Sequence, residues 1–181
     1  MTKFDSTLVA LMVLFCLPSY AQRTMEGRPF VGADCVWSGG IGARIHAGEY
    51  LRHSLWDVTA GMRSCSKMIS TGDRLDFIDI TAGASWQRRL LSLRSRALSL
   101  YGGAGAFLGC EVYDPWRTLP ATVDLGFGRG AFIYGASASL SAEVFLTRRC
   151  AFVLSGALPL VFPSHAGILR WEVCAGLRHD L

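Results

Sequence analysis

The sequence predicts an all-β protein, an antiparallel up-and-down transmembrane β-barrel of about eight strands that follows an N-terminal signal peptide. Three observations support this prediction. Residues 131–146 keep a period of two, the chain is rich in apolar residues without a run long enough for a membrane-spanning helix, and its N-terminus has the form of an export signal. Together these properties are typical of an outer-membrane protein.

The N-terminus carries the three parts of a secretory signal. Lys3 supplies the positive charge, residues 8–17 form an apolar core, and residues 19–21 form a small-x-small cleavage site. We therefore expect a signal peptide over residues 1–21 and an outer-membrane barrel domain over residues 22–181. The alternative is a cytosolic protein in which this segment is an ordinary apolar helix.

The composition narrows the class of protein. Hydrophobic residues make up 51% of the 181-residue chain and charged residues 18%, which is more apolar than a typical soluble domain. No later run reaches the roughly 18 to 20 apolar residues of a spanning helix, so a membrane barrel or a sandwich with a buried core is favoured. The net charge is +4, but the arginines are scattered, which gives little support for nucleic-acid binding.

Residues 131–146 are the clearest strand. Even-numbered positions such as Leu140, Ala142 and Val144 are apolar, whereas Ser141 and Glu143 fall on the other face. A period of two places these sets on opposite faces of a strand, with lipid on one side and a polar lumen on the other. The alternative that this stretch leaves open is a sandwich strand between a core and water.

The remaining strands are predicted from the same alternation. Each is expected to be near the roughly 9 to 11 residues of a tilted membrane crossing, and in the last one the charged residues share a face apart from His179. The seven further predicted strands lie near residues 30–38, 42–52, 55–63, 75–87, 97–113, 150–162 and 170–181.

The breaks between strands alternate between two sides. If both termini are periplasmic, the longest break, residues 114–130, falls outside, as expected for a barrel. Residues 88–96 are basic and leucine-rich and are predicted as a turn, with a short amphipathic helix at the membrane surface as the alternative. The other predicted breaks are 38–41, 64–74 and 163–167 on the outer side, and near 53 and 147–149 on the inner side.

Closure of the sheet removes its unpaired edges and leaves an interior just wide enough for side chains. Acids and bases occur in similar numbers on the inner face, which predicts a plugged, ion-paired lumen. His46 with Asp34 and Glu143 is a possible metal set, but a charge network explains these residues equally well. The predicted lumen charge network, a structural one, consists of Asp34, Arg44, Asp57, Arg63, Asp79, Glu111, Glu143, Arg170, Glu172 and Arg178.

No catalytic, cofactor-binding or metal-ligating residues are predicted. His53–Ser54 and Ser164–His165 resemble a Ser–His pair, but adjacent strand residues point to opposite faces, so turn chemistry is the preferred interpretation. Glycines 126, 128 and 130 lack the strand-then-helix context of a phosphate loop. The tryptophans occur singly, which favours interfacial anchors over a ligand cage; they are Trp37, Trp56, Trp86, Trp116 and Trp171.

The cysteines show no paired spacing. Cys16 lies in the leader, where Phe15 fits a lipobox poorly. An odd number without a CxxC pair argues against a disulfide framework and a zinc site, although one disulfide remains open. We expect most to be small apolar fillers; the mature cysteines are Cys35, Cys65, Cys110, Cys150 and Cys174.

The motifs that suggest a known family are residues 21–23, 132–135, 141–146, 152–154 and 175–178, with Arg148. Together these segments resemble the TraO proteins of conjugative transposons. The resemblance implies an outer-membrane component of the conjugal transfer apparatus and brings no catalytic residues with it.

The functional prediction is a structural, non-enzymatic barrel without a cofactor. Its expected partners are other conjugal transfer proteins of the cell envelope and outer-membrane lipid, with no direct nucleic-acid contact and no small-molecule substrate. Two alternatives are a stand-alone surface or adhesion barrel that binds through residues 114–130, and a small lipid-modifying barrel enzyme.

Overall fold

The computed structural model describes residues 26–68, 74–93, 98–113, 130–164 and 168–181. These residues form eight antiparallel strands, each paired with the next along the chain, and β1 pairs with β8 to close the barrel. The strands are β1 (Arg28–Trp37), β2 (Gly40–Tyr50), β3 (Ser54–Met68), β4 (Arg74–Leu93), β5 (Leu98–Tyr113), β6 (Gly130–Phe145), β7 (Cys150–Phe162) and β8 (Glu172–Asp180). The predicted fold class is confirmed.

Some sequence predictions fall outside the described residues. These are the signal peptide over residues 1–21 and nearly all of the loop predicted over 114–130, which includes Trp116. They also include residues 69–73 of the loop predicted over 64–74, residues 94–96 of the turn predicted over 88–96, and residues 165–167 of the break predicted over 163–167, which include His165. Within the described part of the chain, no helix has the length and apolarity needed to cross a membrane.

Period-two alternation places one side of every strand outside the barrel and the other inside. Leu140 on β6 is 52% exposed on the outer face, whereas Glu143 on the inner face of the same strand is 1% exposed. The outer face is mostly apolar, so it suits hydrocarbon, and the inner face collects the charged and hydroxylated side chains. The predicted orientation of Leu140 and Glu143 is therefore confirmed.

The two ends of the barrel differ in what they carry. We call the end with Arg28, Asp180 and the turns at 51–53 and 146–149 the terminal end, and the other the loop end. The first turn at the loop end is the tight turn between β1 and β2, where Gly39 has a φ of 64°. A residue with a side chain is strained at such a positive φ, which explains the glycine at this position.

β3 and β4 are longer than the alternation predicts. β3 continues to Met68, so the loop predicted to begin at residue 64 is wrong for residues 64–68. β4 extends to Leu93, so the turn predicted over 88–96 is wrong for residues 88–93. A bulge between Arg89 and Leu91 breaks the register with β5, and because a bulge disrupts alternation, the continuing strand resembled a turn in the sequence.

The strand lengths are also unequal. They range from 9 residues in β8 to 20 in β4. The expectation that each strand is near the roughly 9 to 11 residues of a tilted membrane crossing is therefore wrong for β3 to β6, which have 15 to 20 residues.

β8 begins at Glu172, two residues later than predicted. Proline has no N–H to donate, and Pro159 of β7 lies just beyond Ala157, where the ladder to Glu172 of β8 ends. The carbonyl of Pro159 still accepts a 3.0 Å hydrogen bond from the backbone N–H of Arg170. Arg170 therefore lies in the connection before β8.

Candidate functional site

The lumen is the candidate site, and glycines make room in it for polar groups. A Cβ at Gly32 would overlap the imidazole of His46, and a Cβ at Gly176 would overlap the carboxylate of Asp34. Since inner positions of a small barrel must be filled with little space to spare, these glycines allow larger polar side chains on the neighbouring strands.

At the loop end, two arginines join three carboxylates. Nη2 of Arg63 lies 2.7 Å from Oδ2 of Asp79, and Nη1 of Arg170 lies 2.9 Å from the same oxygen. Arg63 also pairs with Glu172, and Arg170 with Glu111. We call these five residues the loop-end cluster.

Two hydroxyl groups extend the loop-end cluster. The Ser164 hydroxyl donates to Oε1 of Glu111 over 3.0 Å, and the Tyr113 phenol donates to Oε2 of the same carboxylate. Glu111 is fully buried. Hydrogen bonds to an ionised group offset part of the cost of removing it from water, so the cluster can hold its charges inside the barrel.

In the middle of the lumen, Asp34 lies between two basic side chains. Nη2 of Arg44 is 2.8 Å from Oδ2 of Asp34, and Nδ1 of His46 is 3.3 Å from the same oxygen. Glu143, the third member of the possible metal set, pairs instead with Arg178 at 3.3 Å. The structure therefore separates Glu143 from the Asp34–His46 pair.

A chamber of about 120 Å³, lined by both polar and apolar side chains, lies beside this middle group. Asp57 accepts a hydrogen bond from the Ser85 hydroxyl, and the Ser141 hydroxyl donates to Gln87 over 2.7 Å. Because a buried water needs roughly 10 to 15 Å³ and two or more polar partners, the chamber has room for several water molecules. Its lining includes Arg44, Asp57, Arg63, Ser85, Gln87, Ser137, Ser139, Ser155 and Glu172.

At the terminal end, Arg178 is held by a carboxylate and two rings. Nη1 of Arg178 lies 3.3 Å from Oε1 of Glu143, which also accepts a hydrogen bond from the Tyr50 phenol. The guanidinium carbon is 4.1 Å from the ring centroid of Phe30 and 5.7 Å from that of Tyr50. Rings so close to a desolvated guanidinium add a cation–π attraction. These four residues form the terminal-end cluster.

The ten predicted network residues thus appear in several contacting groups. Nine take part in the ion pairs described above, while Asp57 contacts a serine hydroxyl. Sequence reasoning missed Phe30, Tyr50 and Ser164. The signal for the first two was present, because Phe30 has the same parity as Asp34 on β1 and Tyr50 the same parity as Arg44 on β2.

The other sequence features are placed as follows. His53 lies in an exposed turn, where its Nδ1 is 3.3 Å from Arg89, and Ser164 contacts Glu111 in the lumen. Trp56 and Trp86 face each other across β3 and β4 near the terminal end, and Trp37 ends β1 at the loop end. These tryptophans are exposed on the outer face, which agrees with interfacial anchors.

Solved outer-membrane proteins have a similar fold. A major outer-membrane protein of Thermus thermophilus matches with a TM-score of 0.64 and 10% identity over 86% of this chain and 99% of that chain. OprG of Pseudomonas aeruginosa gives 0.59 and 11% over 88% and 98%. Neisserial surface protein A gives 0.58 and 17% over 85% and 95%. At these identities the similarity concerns the fold.

The family assignment comes from the sequence. No curated protein gives a significant match to the chain, but a family model described as conjugative transposon protein TraO matches residues 57–181. This region begins in β3 and includes every later strand, so it contains most of the barrel and confirms the resemblance noted in the sequence. The chain belongs to the conjugative transposon protein TraO family.

Proposed function

We propose that this protein is a structural, non-catalytic β-barrel in the outer membrane that forms part of a conjugative DNA-transfer apparatus. The observation that carries the proposal is the family match over residues 57–181, combined with a closed barrel whose outer face is apolar. Its partners are other transfer proteins of the cell envelope and the lipid around the barrel.

The lumen supports a structural role more than transport. Ion-paired side chains from several strands meet at the loop end, and aromatic rings pack around Arg178 at the terminal end. A lumen filled in this way holds the wall in one shape. Transferred DNA therefore takes another route, and this barrel contributes a rigid element of the envelope assembly.

Conjugation provides the direct test. A strain that lacks this protein should transfer the element at a strongly reduced frequency, and a plasmid copy of the wild-type chain should restore transfer. A tagged chain should also copurify from outer membranes with other transfer proteins. Unchanged transfer by the deletion strain would exclude a required role, and loss of surface attachment with transfer intact would favour an adhesion barrel instead.

Membrane crossing has its own test with matched variants. Leu140 lies mid-strand and Leu146 lies at the terminal-end turn, and both are exposed on the outer face. Leu140→Arg should lower the free energy of unfolding in lipid vesicles by about 2 to 4 kcal/mol, whereas Leu146→Arg should cost no more than about 1 kcal/mol, because the cost of a charge falls from the midplane to the interface. Equal costs would contradict the membrane-spanning arrangement.

A further inference from the structure

The five cysteines within the described residues occupy different environments. Cys35 and Cys110 lie on the outer apolar face of β1 and β5, whereas Cys65 and Cys174 are buried in the lumen. Cys150 begins β7 directly after the terminal-end turn. Of the five, Cys150 is therefore the one that the fold places at the rim of the terminal end, half-buried and on the outer side of its strand.

A histidine lies directly opposite Cys150. His179 is its Cα partner on β8, and the Sγ of Cys150 is 3.2 Å from the Nδ1 of His179. The Thr147 hydroxyl accepts hydrogen bonds from the backbone N–H groups of Arg149 and Cys150, at 3.2 and 3.0 Å. The thiol and the imidazole are thus held together by a paired ladder and a capped turn.

Two basic residues precede Cys150 in the turn. Arg148 and Arg149 are both exposed there. Their positive charge favours a negatively charged reaction partner. A cysteine that served only as a small apolar filler would need neither the imidazole nor the arginines.

We propose that Cys150 and His179 form a thiol–disulfide exchange site at the terminal end, and that its substrate is a disulfide carrying negative charge. The imidazole accepts the thiol proton, and the thiolate of Cys150 attacks one sulfur of the disulfide. A new S–S bond to Cys150 forms as the original S–S bond breaks, and the second sulfur leaves as a thiolate. The exchange balances without an oxidant, and it goes beyond the structural role proposed above without depending on it.

The test uses the purified full chain in detergent micelles after reduction. The probe is dithiobis(nitrobenzoate), an anionic disulfide that releases a coloured thiolate at each exchange. We expect one fast-reacting thiol per chain, which disappears in Cys150→Ser and is retained in Cys35→Ser. Because an unassisted thiol is only a few per cent ionised at pH 7, His179→Ala should slow the fast phase about tenfold.

Two further variants separate a specific site from simple exposure. His53→Ala removes another exposed histidine at the same end and should leave the rate unchanged. The pair Arg148→Gln and Arg149→Gln should slow reaction with the anionic probe about threefold and leave reaction with neutral dithiodipyridine unaffected. The shift in electrophoretic mobility between folded and heated protein checks that each variant is folded.

Three results would each overturn the proposal. The first is a fast phase that survives Cys150→Ser, and the second is an unchanged rate in folded His179→Ala. The third is equal slowing of the anionic and neutral probes when both arginines are replaced.

Discussion

The loop-end cluster joins Arg63 and Arg170 to three carboxylates, whereas the terminal-end cluster holds Arg178 between one carboxylate and two aromatic rings. In the loop-end cluster, Asp79 contacts both arginines. If one arginine is replaced, the other therefore still pairs with Asp79. In the terminal-end cluster, no second arginine makes the contacts of Arg178 with Glu143 and Phe30 among the contacts described. We therefore expect that the sharing of partners, more than the number of charges, determines how sensitive each end is to a substitution.

The largest effect is expected at the terminal end. Arg178→Met should lower the free energy of unfolding by about 3 to 5 kcal/mol, because removal of one partner leaves the buried carboxylate of Glu143 without its cation. Urea unfolding of the protein in lipid vesicles measures this change.

The control is the double variant Arg178→Met with Glu143→Gln. Removing the orphaned charge should recover about 1 to 3 kcal/mol relative to Arg178→Met alone, as expected for coupled neighbours. Simple addition of the two single costs would contradict the account of the terminal-end cluster.

A smaller effect is expected at the loop end. Arg63→Met should cost about 1.5 to 3 kcal/mol, the range of a hydrogen bond to a charged group, because Asp79 keeps Arg170 at 2.9 Å and Glu172 borders the chamber. The same unfolding measurement applies. A loss as large as that of Arg178→Met would mean that Arg170 does not compensate, and the contrast between the two ends would fail.

The smallest effect is expected beside the chamber, which provides a reference for both ends. Asp57 contacts the Ser85 hydroxyl and lines the chamber, so Asp57→Asn exchanges a charge for a neutral group of similar shape next to space for water. The cost should be about 1 kcal/mol or less. A loss above that of Arg63→Met would show that this carboxylate carries an essential ion pair.

Most of the barrel strands could be predicted from the sequence because the alternation that identifies a strand is a local pattern. Neighbouring residues such as Ser141 and Ala142 indicate which side of the strand faces lipid. The prediction failed where a non-local or irregular feature intervened. The bulge at Leu90 and Leu91 places two apolar residues in succession. Pro159 lies in β7, but its missing N–H shortens the neighbouring strand β8.

It was harder to predict which lumen side chains contact each other than which side chains point into the lumen. Tyr50 and Glu143 are separated by 93 positions, and their hydrogen bond depends on how the whole sheet curls to close. Parity identifies which side chains point inward, but it does not state which of them meet across the barrel. For the same reason the sequence identified Arg178 as a lumen residue and left its aromatic contacts unknown.

The unequal strand lengths have a consequence for assembly. At about 3.3 Å per residue, the 20 residues of β4 extend roughly 66 Å along the strand, against roughly 30 Å for the nine residues of β8. One flank of the cylinder is therefore much taller than the flank at which the chain closes on itself. A partner protein that docks on a rim of such uneven height can match it in one rotational orientation. An apparatus that contained this barrel would therefore hold it in a fixed orientation within the plane of the bilayer.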